Sequence, residues 1–242
     1  MCIVMFILLS FAECILLIEF FILSKKIVFG NKRFDCAVFL NGELPENEIL
    51  KQIKGVVFIA ADGAANKVLK VGIKPDYIIG DLDSLDSEQD YTGIEIIRQE
   101  SQVINDFEKI LRFAEMRKDK DILIFGFHGG ELEHTLNNWS VFIKFQNNLN
   151  MVLFDSGRYA IPVKEDISFE CRKDEMISLV PQFECVLKTK NLEWNLHDEQ
   201  LRMGKRKGCR NIARDESVEI ELMSGQYLLF IDSRFPFAPE FV

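Results

Sequence analysis

Three aspartates at two points of the chain have the residue type and setting to hold a hard cation. Asp62 ends an apolar run, 56–61, within I-A-A-D-G-A-A-N (59–66), and Asp81 and Asp83 end a second run within I-I-G-D-L-D-S-L (78–85). Two carboxylates one residue apart at a strand end, where the backbone leaves the pleat, can both turn toward one Mg²⁺. That ion takes oxygen ligands from a few carboxylates and from substrate phosphates. Spacing alone is weak support, because D-x-D recurs at Asp119-Lys-Asp121, where a solvated turn before a strand accounts for it. Asp106 and Lys109 open a helical pattern, whose free N–H groups and dipole favour a carboxylate; a cap followed by an exposed lysine is the plainer reading. Gly126, Gly129 and Gly130 lie between a strand pattern and a helix pattern, where backbone N–H groups could face an anion. Many plain strand-to-helix turns share that feature, and no G-K-[ST] follows, which removes the P-loop reading. His134 beside Glu133 could be an acid/base pair or a structural hydrogen-bonder. Trp194 could stack on an aromatic ligand or fill a core.

The elements that must position these groups follow from periodicity. Short apolar runs at 36–40, 56–61, 77–79, 94–98, 122–125 and 150–154 read as strands. Helical spacing intervenes at 45–54, at 64–69, at 105–117 (with Asn105 as N-cap and Phe107, Ile110, Leu111 and Ala114 on one face), and at 133–145. The alternation predicts an α/β sandwich with a mostly parallel sheet. Asp62, Asp81 and Asp83 then fall on its carboxyl edge, where open α/β sheets bind ligands. Beyond 155 the texture changes to β-rich segments at 167–171, 176–180, 184–188, 217–222 and 227–231, with a turn expected at Ser224-Gly225. This predicts a small antiparallel β-sandwich or barrel. The expected organisation is a leader over 1–26, an α/β domain over 27–157 and a β-sandwich domain over 160–242.

The 242 residues carry a formal net charge of −9 and show no Lys/Arg stripe, which argues against a nucleic-acid partner. Six cysteines without C-x-x-C pairs fit a reducing, cytoplasmic setting. Residues 1–24 are almost wholly apolar, broken by Glu13 and Glu19, and long enough to span a bilayer. The side chains of Ile, Leu, Val and Phe there gain roughly 7 kcal/mol on insertion and the two acids cost roughly 6, so the balance is near zero. Three readings stand open: a membrane anchor giving membrane contact through 1–24, a hydrophobic arm packed on the protein, and a segment outside the functional protein.

Taken in order, the motifs resemble one family. A-D-G-A-A-N (61–66), G-I-K-P-D (72–76), I-I-G-D-L-D-S-L (78–85), S-Q-V-I-N-D-F-E-K (101–109), G-F-H-G-G-E-L-E-H-T-L (126–136), I-S-L-V-P (177–181) and N-L-E-W-N-L (191–196) are similar to the motifs of thiamine pyrophosphokinases. The likeness runs from about Cys36 to Ile231. It implies a catalytic α/β domain, a C-terminal β-sandwich, and a homodimer whose thiamine sites lie between subunits. It also implies transfer of the pyrophosphoryl group of ATP to thiamine, releasing AMP, with Mg²⁺ as cofactor and ATP as co-substrate.

Carried onto this chain, Asp81 and Asp83 match the metal-binding pair, joined by Asp106 as the third catalytic and metal-binding carboxylate. Asp62, Gln102, Lys109, Gly129, Gly130, His134 and Trp194 fall among the substrate-binding residues. The chain departs from the family pattern at Ser101, at Asn105, at Glu131 in the place of an arginine, at Glu133 in the place of an aspartate, and at Gly208-Cys-Arg-Asn211 in the place of S-x-S-N. An Arg-to-Glu exchange reverses a charge beside a polyanion. With the lost serines it keeps a second function open, a non-catalytic relative that binds a thiamine compound or a nucleotide. A transferase of another class using D-L-D alone does not account for the ordered motifs. Lys109 and Arg158 are the cations that could meet the phosphates.

Overall fold

A computed structural model describes residues 24–53 and 55–242. The leader therefore lies almost wholly outside the described residues, and among these no helix is long and apolar enough to cross a membrane. The chain divides into two compact units. One comprises Phe29–Pro162 and Leu229–Ala238; the other comprises Val163–Leu228 and Pro239–Val242 with the described residues up to Val28. The chain thus returns to its N-terminal unit near its end, a crossing that a single cut near 160 does not anticipate.

The N-terminal unit holds β2 (Cys36–Phe39), α1 (Asn47–Leu50), β3 (Val57–Ala61), α2 (Asp62–Lys70), β4 (Tyr77–Gly80), β5 (Glu95–Arg98), α3 (Asp106–Arg117), β6 (Asp121–Phe125), α4 (Leu132–Phe145), β7 (Asn150–Asp155) and β8 (Arg158–Val163). Its strands lie in the order β8-β7-β6-β2-β3-β4-β5. All pairs from β7 to β5 are parallel, and β8 returns antiparallel to β7. The parallel strands β2 and β6 are buried along their whole length, as expected where helices cover both faces. The order reverses between β2 and β6: the chain builds outward through β3, β4 and β5, then restarts on the other side of β2. Crevices at the carboxyl ends of strands flanking such a reversal are where open α/β sheets bind ligands.

The helices form where the spacing places them. In α3, Phe107, Ile110, Leu111 and Ala114 are buried, and the Asn105 side chain accepts the Glu108 N–H at 2.9 Å. Such a cap contributes about 1 kcal/mol. Lys118, in left-handed backbone, ends this helix. The pattern over 45–54 yields only the single turn of α1, hemmed by Pro45 and Gly55, with Leu50 and Ile53 buried.

The second unit is β-rich and mostly antiparallel. It contains β1 (Lys25–Val28), β9 (Ile167–Glu170), β10 (Met176–Lys190), β11 (Glu199–Arg202), β12 (Gly208–Ile212), most of β13 (Ser217–Asp232) and β14 (Glu240–Phe241). Its β1·β9 pair is parallel. Four of the short strands expected from the sequence are in fact halves of β10 and β13. The expected turn at Ser224-Gly225 is instead an irregularity inside β13, with Gly225 at φ 81°. A Cβ there would collide with the carbonyl oxygen of Glu184 on the neighbouring strand, so glycine lets the strands stay close. Phe183, at φ 71°, is the matching irregularity in β10.

Candidate active site

The carboxyl ends of β3 and β4 bring the three aspartates together: carboxylate oxygens of Asp62, Asp81 and Asp83 lie within 4.8 Å of one another. Asp62, the first residue of α2, is buried and accepts the N–H groups of Gly63 at 2.6 Å and Leu82 at 2.9 Å. Leu82 sits in left-handed backbone (φ 72°), so the chain turns sharply between Asp81 and Asp83. Gly80 is required by contact: a Cβ on it would lie 2.6 Å from Cγ and Oδ2 of Asp62. The glycine of G-D-L-D thus makes room for the aspartate of A-D-G.

The members of the cluster differ electrostatically. Burial pushes the Asp62 carboxyl up to about 6, helped by the negative charge of Asp106 and opposed by the two N–H donors. Gln102 Nε2 donates to Asp81 Oδ2 at 2.7 Å and, with the Asp83 N–H, holds the Asp81 carboxyl down to about 2. The donor set is all hard oxygen, which matches Mg²⁺.

A cavity of ≈ 800 Å³ opens beside the cluster, lined by Asp81, Gln102, Asp106 and Lys109 on one side. Asn41, Gly42, Lys67, Gly126, Gly129, Gly130, Glu131 and His134 line it as well. It occupies the reversal between β2 and β6: the loop after β2 is bonded to the loop after β6 through Gly42 N–H to Gly126 O (2.9 Å) and Glu43 N–H to His128 O (2.8 Å). Asn138 of α4 donates to Phe127 O at 3.1 Å and accepts from the Asn105 side chain at 3.2 Å, tying the α3 cap to the glycine loop.

Several residues stand differently from their expected settings. Lys109 is not exposed: it is buried, with Nζ 2.8 Å from Asp106 Oδ1. Asp106 accordingly lies outside the group of three carboxylates, on the cavity wall and ion-paired. His134 pairs with Glu131 at 3.3 Å, one helical turn back, rather than with its neighbour Glu133. Both partners are exposed at the cavity mouth. Gly129 and Gly130 have φ of 110° and 73°. Arg158 donates to Phe230 O at 2.8 Å, with its guanidinium over the Phe230 ring, and does not line the cavity. Trp194 is not a core residue but 61 % exposed, and its loop is held by the Asn211 side chain, which bonds both the N–H and the carbonyl of Trp194.

Asn66, which ends the first motif, and Lys67, which follows it, escaped sequence reasoning. Asn66 donates to Ser84 O at 2.6 Å and accepts the Asp86 N–H at 3.0 Å, clamping the loop that carries Asp81 and Asp83. Lys67 donates to Asn41 O at 2.6 Å and Gly42 O at 3.0 Å. Their positions one turn beyond Asp62 on a helix starting at the carboxyl edge are the signal that could have found them.

A carboxylate cluster beside a crevice at the sheet's reversal is the layout of an α/β ligand-binding protein, with oxygen donors that could hold a divalent cation. Residues 51–153 match the family model for the thiamin pyrophosphokinase catalytic domain, and residues 159–227 that for the thiamin pyrophosphokinase vitamin B1 binding domain. The chain belongs to the thiamin pyrophosphokinase family. Thiamine pyrophosphokinase 1 of Oryza sativa subsp. japonica is 26 % identical over 76 % of this chain and 81 % of its own. The crystal structure of thiamine pyrophosphokinase from Bacillus subtilis superposes with a TM-score of 0.70 at 18 % identity, covering 83 % of this chain and 100 % of that one. That of the yeast enzyme also gives 0.70 at 18 % identity, covering 84 % and 87 %.

Proposed function

We propose that the protein is a thiamine diphosphokinase, transferring the pyrophosphoryl group of ATP to the hydroxyethyl oxygen of thiamine to give thiamine diphosphate and AMP. The observation that carries this reading is the convergence of Asp62, Asp81 and Asp83 at the edge of the cavity between β2 and β6, in a chain of this family. The thiamine hydroxyl oxygen attacks the β-phosphorus of ATP, its proton passes to solvent, and the bond from that phosphorus to the α,β-bridging oxygen breaks, releasing AMP. Such transfers ask the protein mainly for positioning and charge neutralisation.

Asp62, Asp81 and Asp83 would hold Mg²⁺, whose contribution when bound is to neutralise charge on the phosphates. Gln102 keeps Asp81 ionised and fixed in direction. Asp106 acts through its pair with Lys109, which sets a buried ammonium on the cavity wall. Gly129 and Gly130 leave the wall without side chains beside the nucleotide. The reversed charge at Glu131 weighs little, because its carboxylate is solvent-exposed and water screens such a charge strongly.

Thiamine is assigned to the second unit, whose exposed Trp194 offers an indole face. An uncovered indole held by a backbone clamp is what a single chain leaves when a second subunit completes the site, so the working form is a homodimer. Incubation of the purified chain with thiamine and MgATP tests the reading: thiamine diphosphate should accumulate with AMP. Thiamine binding without any AMP would refute it in favour of a non-catalytic relative.

A further inference from the structure

We infer that Lys67 is the residue that meets the phosphate chain of the nucleotide and supplies the positive charge that Glu131 does not; this rests on the ATP reading above. Two lysines of the described residues line the cavity. Lys109 is committed to Asp106 at 2.8 Å. Lys67 pairs with no carboxylate of the described residues; its Nζ rests on two neutral carbonyls, Asn41 O at 2.6 Å and Gly42 O at 3.0 Å. An ammonium has three donors. Two are directed at these carbonyls, which leaves the third donor and the whole unit charge for an anion.

The position is also fixed. Asn41 and Gly42 belong to the loop after β2, and that loop is bonded to the glycine loop through Gly42 N–H to Gly126 O at 2.9 Å. Lys67 rises from α2, whose first residue is Asp62. One helix thus carries a carboxylate of the metal cluster at its start and the uncompensated cation just over one turn later. A polyphosphate with one end at the aspartates and the other along the glycine loop passes Lys67. Of the other acidic groups on the wall, Glu108 is held by Arg112 and Lys144, and Glu131 is solvent-exposed, 3.3 Å from His134.

A charge-assisted hydrogen bond to phosphate corresponds to roughly tenfold or more in affinity. The test is calorimetric binding of adenosine, AMP and MgATP to the full chain and to Lys67→Gln, Lys67→Met and Lys67→Arg, with thermal unfolding of each. The inference expects MgATP to weaken about tenfold or more in the Gln and Met variants, AMP less, adenosine within about twofold, and Arg to restore most of the loss. MgATP binding unchanged in the Gln and Met variants would overturn it. Equal weakening of adenosine and MgATP would also overturn it, because Lys67 would then only hold the loop of Asn41 and Gly42. If the parent binds neither adenosine nor MgATP, the nucleotide reading itself falls, and the role of Lys67 with it.

Discussion

Replacing Asp62 with asparagine should make the protein's stability less sensitive to the rise from acid to neutral pH, although it should abolish activity. In the metal-free fold the Asp62 carboxyl is raised from its ordinary 3.8 to about 6, chiefly by burial and by Asp106. A carboxyl that holds its proton more tightly folded than unfolded contributes stability below pH 3.8 that is lost as pH rises through about 6. The substituted amide cannot ionise, so the variant escapes that loss. The shift corresponds to roughly 3 kcal/mol in full, of which about 2 to 3 fall between pH 4 and pH 8. The amide keeps one acceptor for the Gly63 and Leu82 N–H groups and misplaces a donor against the other, at a cost of about 1 to 3 kcal/mol. That cost is the same at both pH values and cancels in the comparison. Thermal unfolding of parent and Asp62→Asn in chelator should therefore show the difference in Tm moving in the variant's favour by about 4 to 12 °C from pH 4 to pH 8. A difference independent of pH would refute the reasoning, since Asp62 would then be no more averse to charge in the fold than in the unfolded chain.

Asp81→Asn and Asp83→Asn should each abolish turnover with little change in Tm, because each removes a metal-facing charge from an incompletely buried turn; wild-type rates at limiting Mg²⁺ would contradict the metal assignment. Gly80→Ala should lower both activity and stability, by roughly 1 to 3 kcal/mol for the overpacking, because its methyl must displace the Asp62 carboxylate from 2.6 Å. Metal titration followed by unfolding should show a weakened Mg²⁺ response in that variant. Trp194→Ala should weaken thiamine by about 1 kcal/mol of stacking or more while leaving ATP binding unchanged. Sedimentation should give a dimer, and a monomer at micromolar concentration would count against a thiamine site shared between subunits.

The sheet was legible because its strands are short, largely apolar runs punctuated by Gly, Asp and Asn, and because α3 writes its face and its cap directly into residues 105–114. The convergence of Asp62, Asp81 and Asp83 followed from strand polarity alone, since parallel strands put both ends on one edge. Other features depend on tertiary partners. Nothing local says that Lys109 is buried, because its burial depends on the neighbouring elements and its tolerance of burial on Asp106. His134 pairs with Glu131 because residues three apart share a helix face whereas adjacent ones do not. The long strands β10 and β13 were hidden by Phe183 and Gly225, whose left-handed backbone resembles a turn in sequence but is carried through by pairing with neighbouring strands. Strands β11 and β12 carry charged and small residues with little alternation, and only their pairing with β10 defines them.

The proposed function requires that both terminal phosphates of ATP move together onto thiamine. ATP labelled in its β- and γ-phosphates, given to the full chain with thiamine and Mg²⁺, separates this from every other outcome. The expected products are thiamine diphosphate carrying both labels and unlabelled AMP in equal amount. Release of labelled ADP, with one label or none on thiamine, would contradict it.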